Sequence, residues 1–195
     1  MNKDKIKKIL FDVFIKYQGL VVLLIIIDQI SKIIVMNTLE YNTPVKLFSW
    51  FNLTFVYNTG VAFSFLKDAP QWITACISIV AAVAIEAYLI IKKPKEKFLT
   101  ILLLCLVAGA IGNGIDRWLA VFNARGGVVD FIDPTFFANF NVADIYVTCS
   151  CIAMIVYFLF SKEERDTTHI KKKEKTIKES ENSDNDLVFN DTKND

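Results

Sequence analysis

The amino-acid sequence predicts an all-α membrane protein, four transmembrane helices with a small extracytoplasmic β-hairpin or curved sheet. Three observations predict it. Apolar residues fall in four blocks: Gly19 to Met36, Trp72 to Ile91, Phe98 to Ile111 with a Gly-rich extension, and Ile145 to Phe160. Each is near the length a helix needs to cross a hydrocarbon core about 30 Å thick. Charge alternates between the connections, so that the formal total of +1 conceals a strongly uneven distribution. Between the first two blocks, finally, the composition changes to short aromatic and β-branched runs. Residues 1–160 are read as one membrane domain, followed by a polar cytoplasmic tail, 161–195.

The first 18 residues hold five lysines against Asp4 and Asp12, and the Lys92 to Lys97 connection holds four lysines against Glu96. The positive-inside rule puts both in the cytoplasm, and with them both termini. The apolar run after residue 18 contains Asp28 and Lys32 and is followed by no small-x-small cleavage site, so it is read as a retained helix rather than a cleaved signal. Asp28 and Lys32 are four residues apart with the acid first, which lets them pair on one helical face. Two readings of this pair stand: an internal ion pair with Lys32 snorkelling outward, or a support for a site.

From Asn37 to Pro70, alternation at Phe51, Leu53, Phe55 and Tyr57 reads as a strand, Asn58, Thr59 and Gly60 as a turn, and the residues after it as a second short strand. An amphipathic lid on the membrane surface is the alternative. The second helix places Trp72 and Tyr88 at its two ends, where amphipathic rings settle, and Glu86 is expected to snorkel beside Lys92 and Lys93. In the third, Ala108, Gly109, Ala110, Gly112 and Gly114 permit close helix approach, which would place Asn113, Asp116 and Arg117 beside other helices. The fourth is expected to begin at Asp144, where an aspartate also suits an N-terminal cap. The tail from Lys162 is first basic and then acidic, and is expected to be disordered.

The chemistry is concentrated in Gly112 to Asp144, which holds Asp116, Asp130, Asp133 and Asp144 with Arg117 and Arg125 between two apolar blocks. Carboxylates beside a bilayer are costly and mark candidate sites. The only histidine, His169, lies in the tail, and Cys76, Cys105, Cys149 and Cys151 all fall inside helices as small packing residues. A histidine-based nucleophile pair and a histidine-ligated metal are thereby disfavoured. Two options remain, a two-carboxylate hydrolase and a proton- or cation-coupled transporter. The acids gather at one surface and no internal repeat is visible, which favours the hydrolase.

The ordered set DQISK, NTGVAFSF, GNGIDR, VVDFID and FNVAD, from residue 28 to residue 144, resembles the lipoprotein signal peptidase family, also called signal peptidase II. The resemblance implies a bacterial inner-membrane aspartic endopeptidase that cleaves prolipoproteins just before a diacylglyceryl-modified cysteine, with its site near the outer leaflet. It selects Asp130 and Asp144 as the catalytic acids, which spacing alone could not separate from Asp116 and Asp133. It assigns Asn58, Gly60, Asn113, Arg117 and Asn141 to substrate binding and Asp28 and Lys32 to support. Asp116 is read as structural and Asp133, before Pro134, as a turn residue. It also implies no metal and no organic cofactor. Membrane phospholipid is an expected partner, nucleic acid is not, and the protein is expected to be a monomer. The segment 118–127 is longer than the family's usual connection, and Ser31 stands where a threonine is more usual.

Overall fold

A computed structural model describes residues 3–60, 70–92 and 96–160, with side chains from residue 17 onward. The elements in chain order are α1 (Lys3–Thr38), β1 (Val45–Phe48), β2 (Phe51–Asn58), α2 (Gln71–Lys92), α3 (Lys97–Val121), β3 (Val128–Pro134) and α4 (Val142–Phe160). Among the described residues four helices are long and apolar enough to cross a membrane: Tyr17–Thr38, α2, α3 and α4. Packing divides the chain into residues 1–152, which hold the sheet and every candidate site residue, and residues 153–195. The expected tail, 161–195, lies outside the described residues.

The helices are apolar outside and partly polar inside. On α1, Val22, Leu23, Ile26, Ile27, Ile30, Ile33 and Ile34 are exposed, whereas Val21, Asp28, Lys32 and Val35 are buried. The buried positions recur at 7- and 3-to-4-residue spacing and so form one stripe. In a bilayer this is the stable arrangement, because lipid solvates the isoleucines and protein must satisfy the charges. Lower on the same helix Val21 packs with Ala82, Leu104, Val107 and Ala108. Glu86 does more than snorkel: both of its carboxylate oxygens accept from Gln18 Nε2 at 3.0 Å, a link between α2 and α1.

Small residues bring α3 close to its neighbours. A Cβ at Gly109 would lie 2.6 Å from Val147 Cγ2 and 2.7 Å from the Ala143 carbonyl, and one at Gly112 would lie 2.7 Å from Asp28 Oδ2. Neither position has room for a side chain. The helix also runs farther than its apolar block, to Val121 rather than to about Ile111, so Asn113, Asp116 and Arg117 are helical. Packing against other helices offsets the conformational cost of its glycines. It ends in a Schellman motif: Asn123, at φ 56°, donates to the Ala120 carbonyl at 3.0 Å, and Ala124 donates to the Leu119 carbonyl at 2.8 Å.

The sheet sits where α1 and α3 end and α2 and α4 begin. It has three antiparallel strands in the order β1-β2-β3. A hairpin is formed by β1 and β2, turning at Ser49 and Trp50, and at the other end of β2 the Gly60 N–H closes a turn onto Asn58 Oδ1 at 2.9 Å. The second strand expected after Gly60 falls on residues outside those described. Strand β3, from the aspartate-rich stretch, pairs with β2, setting Val56 opposite Asp130, Asn58 opposite Val128 and Asn52 opposite Asp133. Val35, Phe55, Val129 and Phe131 form the core beneath the sheet. Asp133 is therefore a strand residue, not a turn residue, and its carboxylate accepts from Thr54 Oγ1 at 2.5 Å and Asn52 Nδ2 at 3.3 Å.

The close approach of α3 to α4 predicts that Gly109→Ala lowers stability by about 1–3 kcal/mol, because Val147 or the Ala143 carbonyl must move. Thermal unfolding in detergent checks this, with Gly19→Ala as the control: nothing lies within 4 Å of a Cβ there, so its midpoint should not fall.

Candidate active site

The site is built from α1 upward. Lys32 and Asp28 are fully buried, and Lys32 does not snorkel: Nζ lies 2.8 Å from Asp28 Oδ2, 2.8 Å from Asp116 Oδ2 and 2.9 Å from Asn113 Oδ1. An ammonium has three protons, and all three find acceptors here. Without water this is the arrangement that makes a buried lysine tolerable. Asp28 Oδ1 also accepts from the Ala143 backbone N–H at 2.9 Å. That N–H belongs to the unpaired first turn of α4, where a carboxylate satisfies a free donor and complements the helix dipole.

Helix α4 begins at Val142 with Asn141 as its cap, two residues earlier than expected. Asn141 Oδ1 accepts from the Asp144 N–H at 3.1 Å, and Asp144 Oδ2 accepts from the Asn141 N–H at 3.1 Å. This reciprocal pattern is that of a capping box, with Asp144 in its third helical position rather than at the cap itself. Its other oxygen, Oδ1, accepts from Asn113 Nδ2 at 2.8 Å.

Asp130 reaches the same place from β3. After that strand the chain turns back on itself, with Phe140 and Ile132 exchanging two backbone hydrogen bonds of 3.0 and 2.9 Å. The clasp returns Asn141 to the side of Asp130. Asn141 Nδ2 donates to Asp130 Oδ1 at 2.6 Å and to Asn113 Oδ1 at 3.0 Å, while Asn58 Nδ2 donates to Asp130 Oδ2 at 2.9 Å. Asn141 is thus bonded to both acids, to Asp130 through its side chain and to Asp144 through its backbone. Asp130 is 1% exposed. Burial, and after it the neighbouring Asp144, push its carboxyl up to about 7, against the opposing hydrogen bonds from Asn58 and Asn141.

Of the residues singled out from the sequence, Asp28, Lys32, Asn58, Asn113, Asn141, Asp130 and Asp144 thus join one hydrogen-bonded network. Gly60 is buried, and its N–H donates to Asn58 Oδ1 at 2.9 Å, which orients the amide that meets Asp130. Arg117 is bound differently: Nη1 donates to Ser78 Oγ at 3.0 Å, and its buried Nε has no partner among the described residues. Asp133 is not in the network. Two contributors were missed, Gln29 and Arg125. Gln29 Nε2 donates to the Gly112 carbonyl at 3.0 Å and Asp28 Oδ2 at 3.1 Å, and Arg125 forms an ion pair with Asp116. The only available signal was an amide beside Asp28 and a second arginine in an acidic stretch, and neither reveals its partner across the sequence.

The model of the family described as signal peptidase (SPase) II matches residues 20–160. A lipoprotein signal peptidase of Francisella tularensis subsp. novicida is 36% identical over 159 residues, which cover 77% of this chain and 95% of that protein. The lipoprotein signal peptidase of Tolumonas auensis is 39% identical over 151 residues, covering 73% and 88%. Among solved structures, a bacterial membrane enzyme determined by the in meso method at 2.3 Å resolution superimposes with a TM-score of 0.67 at 30% identity, over 75% of this chain and 89% of that one.

Two outcomes follow from this geometry. Lys32→Met leaves Asp28 and Asp116 facing each other without their ammonium and should cost about 3–5 kcal/mol, read as a lower unfolding midpoint in detergent. The Asp130 carboxyl rises from an ordinary 3.8 to about 7 on folding, so the folded state binds the extra proton between those values. Its contribution to stability is full below the lower value and is lost as pH rises through the upper one. The unfolding midpoint should therefore fall across that window in the wild type and fall less in Asp130→Asn.

Proposed function

The chain belongs to the signal peptidase II family, and we propose that Asp130 and Asp144 are its catalytic pair. It is a membrane-embedded peptidase that processes prolipoproteins. The observation that carries the assignment of the pair is the bridge made by Asn141, which donates to Asp130 at 2.6 Å and to Asp144 at 3.1 Å. One residue that bonds both carboxylates, Asp130 through its side-chain amide and Asp144 through its backbone N–H, fixes them relative to each other without supplying a full counter-charge. Burial and the neighbouring Asp144 favour the protonated form of Asp130, which leaves it a proton to donate.

In the proposed reaction the ionised member of the pair takes a proton from water, whose oxygen attacks the scissile carbonyl carbon. The protonated member donates to the carbonyl oxygen. The resulting gem-diol collapses, the C–N bond breaks, and the leaving amine takes up a proton from the pair. That amine belongs to the cysteine, which already carries its diacylglyceryl group. The substrate enters sideways from the lipid, so that its acyl chains stay in apolar surroundings. Membrane phospholipid is therefore the medium for both partners, and the enzyme acts as a monomer.

Asn58, Asn113 and Asn141 support this reading as residues that aim the pair, since each places a side-chain amide on one of its carboxylates. Gly60 shapes the turn that holds Asn58, and Asp28 and Lys32 hold the start of α4. Arg117 Nε, buried and without an acceptor among the described residues, is a donor for a substrate carbonyl. The lysines of residues 1–18 and of the 92–97 connection favour a cytoplasmic location for both termini, which puts the sheet and the pair at the outer leaflet of the bacterial inner membrane.

Purified protein in detergent should cleave a lipidated precursor before its modified cysteine. Asp130→Asn and Asp144→Asn should each lower kcat by about 10²–10⁴-fold while the protein stays folded. Turnover near the wild-type rate by either folded variant would remove the pair from the mechanism.

A further inference from the structure

The connection between α3 and β3 carries a charge that the proposed reaction does not use. Arg125 Nη1 forms an ion pair with Asp116 Oδ1 and donates to Gln29 Oε1 at 3.3 Å, with its side chain only 9% exposed. The second oxygen of Asp116 receives Lys32 at 2.8 Å and the Val129 N–H at 3.3 Å. Asp28, Lys32 and Asp116 alone would bury one uncompensated negative charge. Arg125 brings the four groups to neutrality in an interior where an unmatched charge is expensive.

The same connection is pressed against the strand that faces Asp130. A Cβ at Gly126 would lie 2.6 Å from the Tyr57 ring, and one at Gly127 would lie 2.7 Å from the Asn58 carbonyl oxygen. Asn58 is paired with Val128 and donates to Asp130. The arginine thus anchors one end of a short path whose other end is the register of β3.

We propose that Arg125 is a positioning residue for the Asp130–Asp144 pair, acting through Asp116 and supplying the charge that balances the acids beneath the pair. This rests on the reading of Asp130 and Asp144 as catalytic. Among the described residues, the charged and titratable groups around the pair are Asp28 and Lys32 from α1, Asp116 and Arg117 from α3, Tyr146 from α4, and Arg125. Helix α2 contributes Ser78 and β2 contributes Asn58, neither of which titrates. With Arg125 neutralised, the network keeps one negative charge, and ionising the pair then adds a like charge beside it. Both limbs of the activity profile move to higher pH. With Asp116 neutralised instead, a surplus positive charge remains and both limbs move to lower pH.

The test is kcat for a lipidated precursor as a function of pH for R125Q, D116N and D116N/R125Q, with folding checked by thermal midpoint. R125Q should move both limbs up by about half a unit to one unit, D116N should move them down by a similar amount, and the double variant should return them to the wild-type position. R125K, which keeps the charge, should keep the wild-type limbs. A purely structural arginine would lower activity at every pH and leave the limbs in place. Wild-type limbs in folded R125Q, or in folded D116N, overturn the proposal. If R125Q does not fold, the downward shift in D116N and its reversal in the double variant decide the matter. D130N, run alongside, separates the two readings: if it stays active the catalytic assignment fails, whereas unshifted limbs in R125Q with D130N inactive remove only the role of Arg125.

Discussion

One buried ammonium holds the arrangement together. Lys32 meets Asp28, Asp116 and Asn113 with its three protons, and each acceptor passes the constraint onward. Asp28 binds the first turn of α4, Asp116 binds the backbone of β3 at Val129, and Asn113 binds Asp144. Two helices and a strand are thereby located relative to α1 through one cation. In a soluble protein so many polar groups would add little, because water competes for each of them. In a membrane interior the alternative is an unsatisfied charge, and the same contacts become obligatory.

The network separates charge from chemistry. Lys32 and Arg125 pair with Asp28 and Asp116, which take no part in the proposed reaction. Asp130 and Asp144 receive amides instead, from Asn58, Asn113 and Asn141. A direct ion pair would favour full ionisation of both acids and leave no proton to donate. Neutral donors fix direction and leave the burial of Asp130 to keep its carboxyl at about 7. The three asparagines therefore serve a purpose that lysine or arginine could not.

The fold serves this arrangement through close approach. Gly109 and Gly112 let α3 contact α4 and the Asp28 carboxylate, and the outward isoleucines of α1 leave that helix free to direct its polar stripe inward. The sheet then brings Asp130 to the α4 terminus by pairing β3 with β2 and clasping Ile132 to Phe140. The 122–127 connection is tied at both ends: a Schellman motif ends the helix, and Arg125 returns to Asp116.

Much of this was legible in the sequence, because hydrophobic run length and charge alternation are local properties. The four spans, the β content after the first of them, and the concentration of acids between the last two all derive from those patterns. The motif set singled out the residues that meet. What the sequence could not decide was partnership. Helix α3 runs through its glycines because neighbouring helices cover them, and β2 pairs with β3, two helices farther along the chain. Asp133 turns to Thr54, and Lys32 turns inward because two carboxylates from different elements await it. Asp144 is read locally as a helix cap. Only the tertiary structure shows that Asn141 holds that position, leaving Asp144 beside the buried Asp130, because a capping geometry is local but the meeting of the two acids depends on where a distant strand is clasped.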